Sequence, residues 1–421
     1  MGQRSELRPV RISRQAKLLL ATLVAIKILI AVGGVFFARH GQLSRRDYEH
    51  NYHHHRLIDR YANPANINFV ELWVTSDAQW YLAIAEDGYP TREQLNNRGQ
   101  SRGPKLIANT DTRLKYAFFP LWPITIRAAQ SVIRDWNAAA YFAANLISVA
   151  ALMLLYRLLA QKMSQQAAIW SVVLLATWPF AMFLHVPFTE SLFLFLSVLT
   201  FHACAKRRWW LAAIWVGLGL VTRPNGLALA IVPPLALAVD LCRDRAQPWR
   251  RVGSLLFGAM LAAIPLGLFL WHNAVRTGDA FYFSRVIEWW GYNGGGHLQN
   301  LYKNTYGKLL EFPTLPGHGF HRSKIDFLVL VLAGLLLALG VRRLSPTEWA
   351  YSAAIIVIPL LTKNDLMSFS RYALMAWPLV TVPVGLIRPA LRSWTFAVMA
   401  VVFFALQLWC VHEFVNWHWV A

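Results

Sequence analysis

Basic residues crowd into alternate gaps between apolar stretches, and this pattern constrains the chain most. The gaps holding Lys206–Arg208, Arg243–Arg251, Arg342–Arg343 and Arg388–Arg392 are strongly cationic. The intervening gaps carry most of the acidic and amide side chains that look chemically placed. Soluble domains have no reason to sort charge this way. Polytopic membrane proteins do, because cytoplasmic loops retain Lys and Arg. The spacing predicts an all-α polytopic membrane protein of about eleven transmembrane helices with a long first outer loop.

Composition agrees with that reading. The 421 residues are 56% hydrophobic, with 24 Phe and 19 Trp, and Trp favours membrane–water borders. The formal charge of +20 is dispersed in short clusters between greasy runs, which argues against nucleic acid and for anionic membrane lipids. Cys204, Cys242 and Cys410 sit in or beside apolar runs without metal-like or disulfide-like spacing. The segment 18–38 follows a basic leader and lacks a small-residue cleavage site, so it reads as a retained first span.

The predicted spans are about 18–38, 138–159, 167–185, 188–205, 209–222, 226–241, 252–272, 326–342, 347–361, 372–388 and 393–412. They form one integral membrane unit over 1–421. Residues 39–137 form the first outer loop, with interfacial helices, and Arg92–Arg113 reads as a mobile stretch within it. Residues 273–325 form a second outer loop or lid, with Gly294–Gly296, Pro313 and Pro316. Tyr116–Arg134 is apolar but carries Pro120, Pro123 and Arg127. Counting it as a crossing would place the basic clusters outside, so it reads as interfacial or re-entrant. The N-terminus is then cytoplasmic and the C-terminus outside. No internal repeat appears.

Polar groups in the outer gaps are the candidate site. Asp77 begins a helical run through Ala85 at an N-cap-like position, with Tyr81 four residues on and Gly88 ending it. Such a carboxylate either caps the helix or projects toward a membrane-level cleft. Glu190 opens a long apolar run. A carboxylate at the hydrocarbon edge is costly unless paired or used. Arg223, in the turn Arg223-Pro224-Asn225-Gly226, and Arg371, before Tyr372, are basic on the side where the charge bias disfavours them. Each needs a partner: a phosphate clamped by the guanidinium, or, for Arg223, a salt bridge to Glu190. Arg276, Asp279, Arg285 and Glu288 are weaker candidates. The histidines of 53–55 and 318–321 lack the spacing of a metal site.

These residues also carry a family likeness. The elements Asp77-xxx-Tyr81-xx-Ile84-Ala85-xx-Gly88-Tyr89, Phe118-Phe119-Pro120-Leu121-Trp122-Pro123-xxx-Arg127, Pro187-xx-Glu190-Ser191, Arg223-Pro224-Asn225-Gly226 and Arg371-Tyr372 occur in order. In this the chain resembles the bacterial relatives of GPI mannosyltransferase II, within the GT-C group of polyprenyl-phosphate-sugar-dependent glycosyltransferases. The family has Trp before the loop Asp; Ser76 stands there in this chain.

The resemblance implies a GT-C fold in a bacterial inner membrane and an active site on the periplasmic or extracellular side. It also implies inverting transfer of mannose or a similar hexose from a polyprenyl phosphate to a glycan, lipid or protein acceptor. Asp77 is then the general base, with Glu190 orienting the acceptor or holding an arginine at the catalytic centre. Arg223 and Arg371 bind the donor phosphate. Trp80, Tyr81, Asn225 and Tyr372 contact substrate. No cofactor is certain, and a divalent cation is not indicated. The alternative is a transporter or flippase for a lipid-linked sugar, using the same arginines; a membrane scaffold is a poorer third.

Overall fold

The computed structural model describes residues 13–40, 69–96, 112–288, 297–307, 309, 322–363, 365–416 and 420. Both histidine runs, most of Arg92–Arg113 and the Gly294–Gly296 and Pro313–Pro316 parts of the second outer loop lie outside them.

The described chain is helical. Its main elements are α1 (Arg14–His40), α2 (Asp77–Asp87), α3 (Leu121–Ile133), α4 (Trp136–Leu159), α5 (Gln165–Thr177), α6 (Glu190–Ala205), α7 (Trp209–Leu220), α8 (Val232–Arg243), α9 (Pro248–Thr277), α10 (Arg322–Gly340), α11 (Pro346–Thr362), α12 (Phe369–Ala373), α13 (Thr381–Leu386) and α14 (Pro389–Val415).

Five described helices are long and apolar enough to cross a membrane, not the eleven expected: Arg14–His40, Trp136–Leu159, Pro224–Arg243, Pro248–Thr277 and Ser393–Val415. The others fall short of the ~20 residues a straight crossing takes. The reason is local. The runs expected at 167–185 and 372–388 are interrupted by the 3-10 segments Pro179–Leu184 and Trp377–Val380, each with Pro in its first two positions, whereas a third such segment, Pro224–Ile231, opens a run that keeps the length to cross. Proline at a helix start is favourable, whereas within a helix it removes a hydrogen bond. The expected span 372–388 is thereby split into α12, a 3-10 turn and α13. Residues 116–134 give the 13-residue α3, about 20 Å long and so short of a ~30 Å hydrocarbon core.

Charge sorting appears as two chemically different ends. At one end Arg207 and Arg251 both bridge to Asp240 and Asp244, at 2.5–3.0 Å. Lys162 reaches Glu348 at 2.7 Å, and Arg343 donates to the Gly385 carbonyl. The basic gaps therefore share an end. The gaps holding Asp77, Glu190, Arg223 and Arg371 meet at the other.

Two glycines let α7 and α9 touch backbone to backbone. A Cβ on Gly217 would lie 2.4 Å from the Ala262 carbonyl oxygen, and one on Gly258 would lie 2.4 Å from the Trp210 Cα. Without a strong hydrophobic force between helices in lipid, close packing of small residues holds such a pair. Gly217→Leu and Gly258→Leu should each cost about 1–3 kcal/mol by overpacking. Gly267→Leu, which meets open space, should leave the melting temperature in detergent unchanged. Equal melting temperatures for all three variants would reject the close seam.

Candidate functional site

Asp77 is brought to the end of the bundle opposite the basic clusters by a helix that is pinned at its C-terminus. Lys115 donates to the carbonyls of Ala83 and Gly88 at 3.1 and 3.2 Å and lies 3.5 Å from Asp87. Arg127 donates from Nε to the Ala85 carbonyl at 2.8 Å. Arg127 thereby satisfies a carbonyl that the last turn of α2 leaves without a helical partner, and Lys115 places a second cation at the negative end of the helix. Burial pulls the Lys115 ammonium below its ordinary value, partly offset by Asp87. Gly88 closes the helix at φ +77°, and Tyr89 and Tyr116 tie the following turn to the Phe118 and Pro90 carbonyls. Trp122 Nε1 donates to the Pro187 carbonyl at 2.8 Å, fastening α3 to the strap that precedes Glu190.

Asp77 is the first residue of α2, not its N-cap. Ser76 holds the cap position at φ +49° without a side-chain hydrogen bond. Asp77 is thereby free to accept from Arg371 Nη1, at 2.5 Å. Glu190 is the first residue of α6 and fully buried. Its Oε1 accepts from Arg223 Nη1 at 2.9 Å and from Arg371 Nε. Both carboxylates begin helices, where the aligned peptide dipoles favour negative charge. The result is a row of alternating charge: Asp77, Arg371, Glu190, Arg223. The Arg223–Glu190 salt bridge posed as an alternative to phosphate binding is present.

Aromatic faces frame both guanidiniums. Arg371 lies 4.7 Å from the Phe188 ring centroid and 5.5 Å from that of Phe183. Arg223 lies 5.2 Å from Tyr372 and 5.7 Å from Phe193. Such contacts favour arginine over lysine at a desolvated position. Ser370, beside Arg371, is anchored through its amide and hydroxyl to Asp326 of α10 at 2.7 and 2.5 Å. Two of the non-glycine residues with positive φ, Ser76 and Ser368, stand just before the elements carrying Asp77 and Arg371. Backbone held in such regions collects at functional sites.

A cavity of about 100 Å³ opens beside this row. Asp77, Tyr81, Arg223, Asn225, Arg371 and Tyr372 all line it, and Asp77 is its one carboxylate among the described residues. Glu190 does not line it. Trp80 does not either: it is buried and stacks on Phe118, with centroids 5.6 Å apart. Burial, reinforced by Asp77, pushes the Tyr81 phenol above its ordinary value, so Tyr81 presents a neutral hydroxyl. Asn225 is buried, and its Nδ2 has no hydrogen-bond partner among the described residues.

Lys363, in the gap 363–370, also lines the cavity. It lies 5.4 Å from the Tyr372 ring and donates to the Met367 carbonyl. Its signal in the sequence is a basic residue in the same gap between apolar runs as Arg371. Arg276, Asp279, Arg285 and Glu288 do not line the cavity, and Arg285 pairs with Asp279 at 2.9 Å. Among the described residues no group of three or more His, Cys, Asp or Glu could hold a metal ion.

Removing Glu190 would leave two buried cations facing each other. Glu190→Ala should therefore destabilise the fold by about 3–5 kcal/mol, as is typical when one partner of a buried pair is lost. Thermal unfolding in detergent measures this. A loss no larger than that of an exposed substitution such as Glu93→Ala would show that the row does not hold this end together.

No family model and no curated protein matches this chain. Among solved structures the chain is similar to the oligosaccharyltransferase of Archaeoglobus fulgidus in its apo form. The identity is 13% and the TM-score 0.48, covering 95% of this chain and 55% of that one. The same archaeal protein in complex with an inhibitory peptide and a dolichol-phosphate gives 12% identity and a TM-score of 0.37, with coverage of 94% and 55%. The chain spans about half the length of these proteins.

Proposed function

We propose that this chain is a GT-C-type glycosyltransferase. It moves mannose or a similar hexose from a polyprenyl phosphate carrier to an acceptor at the outer face of a bacterial inner membrane. One observation carries the reading: a carboxylate, Asp77, and two guanidiniums, Arg223 and Arg371, line a single cavity at the end of the bundle opposite the basic clusters. The ordered motifs of the sequence supply the substrate class.

The chemistry follows from these groups. The acceptor hydroxyl attacks the anomeric carbon while the bond from that carbon to the phosphate oxygen breaks. The phosphate departs with the electron pair, and Asp77 takes the hydroxyl proton as general base. Departure opposite to attack inverts the anomeric configuration. The leaving group is already anionic, so it needs preorganised positive charge and no proton. Arg371 spends Nε and Nη1 on the two carboxylates and Arg223 spends Nη1 on Glu190. A guanidinium has five N–H donors, so each keeps others for phosphate oxygens. Glu190 orients both arginines. Tyr81 and Tyr372 border the sugar, and the Asn225 amide supplies a donor to one of its hydroxyls.

Purified protein, labelled polyprenyl-phosphate hexose and an acceptor panel in detergent test this. Asp77→Asn should fold but lose about 10²–10⁴-fold in transfer rate, the usual contribution of a general base. Full activity in that variant rejects the role of Asp77. Arg223→Lys should keep the charge, lose the forked geometry, and weaken donor use by about tenfold or more. Unchanged donor dependence rejects the phosphate assignment. Product made without a sealed bilayer separates transfer from transport, for which only sealed vesicles would show an effect.

A further inference from the structure

A second cavity lies away from the charged row. It is a groove of about 1300 Å³ between α1 and α4, with walls that are almost wholly apolar, Leu20, Val24, Phe142 and Leu146 among them. Lys27 lines it, midway along the 27-residue α1 and about 20 Å from either end. A cation at that depth in a bilayer is costly, and such residues pair with an anion or serve a site. Lys27 donates to the Leu184 carbonyl at 2.6 Å, a neutral partner that leaves two of its three N–H groups. Among the described residues no Asp or Glu lines the groove, whereas Arg39 and His40 line it at the C-terminal end of α1.

Asn145 adds a second requirement. Its amide nitrogen donates to the Tyr141 and His185 carbonyls, at 2.9 and 3.0 Å. Its Oδ1, buried and without a partner among the described residues, is left as an acceptor on the α4 side of the groove that Lys27 lines from α1. A ligand that satisfies both groups carries anionic oxygen for Lys27 and a hydroxyl for Asn145. A ligand that fills the rest is hydrocarbon.

We propose that the groove between α1 and α4 binds a phosphate-headed lipid with a hydroxylated head group, its phosphate paired with Lys27, a head-group hydroxyl donating to Asn145, and its chains along the apolar walls. Leu184, which Lys27 holds, follows Phe183, whose ring faces Arg371, so the lipid would lie behind the strap that borders the charged row. The proposal does not depend on the transferase reading.

Delipidated full-length protein in detergent, titrated with phosphatidylglycerol or with diacylglycerol and read by native mass spectrometry, tests it. Phosphatidylglycerol should bind at one copy per chain, at least about tenfold more tightly than diacylglycerol, as a charge-assisted contact requires. Lys27→Met should abolish that preference, Lys27→Arg should keep it, and Leu146→Trp should block both lipids by filling the groove. Leu146 is 74% exposed, so that variant leaves the core intact. Equal binding of the two lipids to the parent chain, or an undiminished preference in Lys27→Met, would overturn the proposal. So would undiminished phosphatidylglycerol binding in Leu146→Trp.

Discussion

The buried charge of Glu190 is the constraint on which the candidate site depends. A fully desolvated carboxylate persists only with close counter-charges. Here two guanidiniums from segments far apart in sequence supply the counter-charge, both at Oε1, while Oε2 has no hydrogen-bond partner among the described residues, so one side chain draws α6, the Arg223 turn and α12 to a point. Arg371 then extends the row to Asp77 at the start of α2, in the segment between α1 and α3. The segment is not merely tethered. Lys115 and Arg127 hold its helix from behind, and Trp122 ties α3 to the strap before Glu190, which together fix where Asp77 sits.

Broken helices make room for this arrangement. The 3-10 segments at Pro179–Leu184 and Pro224–Ile231 adjoin the charged row: the Phe183 ring faces Arg371, and Pro224 follows Arg223. Irregular backbone at membrane depth is tolerated where protein or a polar cavity surrounds it. Such breaks shorten the neighbouring helices, α5 to 13 residues and, at Trp377–Val380, α12 to 5.

Much of this was legible in the residues. Charge sorting in alternate gaps gave the two ends, because salt bridges such as Arg207–Asp240 join loops that share a side. Asp77, Glu190, Arg223 and Arg371 stood out because each was an ionisable group where the bilayer or the charge bias made it costly. The breaks were harder to see. Pro224 and Pro378 are visible, but whether proline begins a helix or divides one is settled by packing. Asp77 looked like a cap because Asp caps helices well; the positive φ of Ser76 that displaces it is a tertiary imposition. Trp80 and Tyr81 are neighbours on one short helix, and only the position of Phe118 decides that the indole stacks away while the phenol borders the cavity. Lys27 drew no notice, because a single lysine hardly dents the hydropathy of a first span.

The seam between α7 and α9 has a mechanical corollary. Helices in backbone contact through Gly217 and Gly258 leave no side-chain layer to slide upon, so the pair behaves as a single stiff beam. A long hydrocarbon tail cannot slip between them. Any sideways gate for a lipid must open at another seam, and the beam serves as its fixed doorpost.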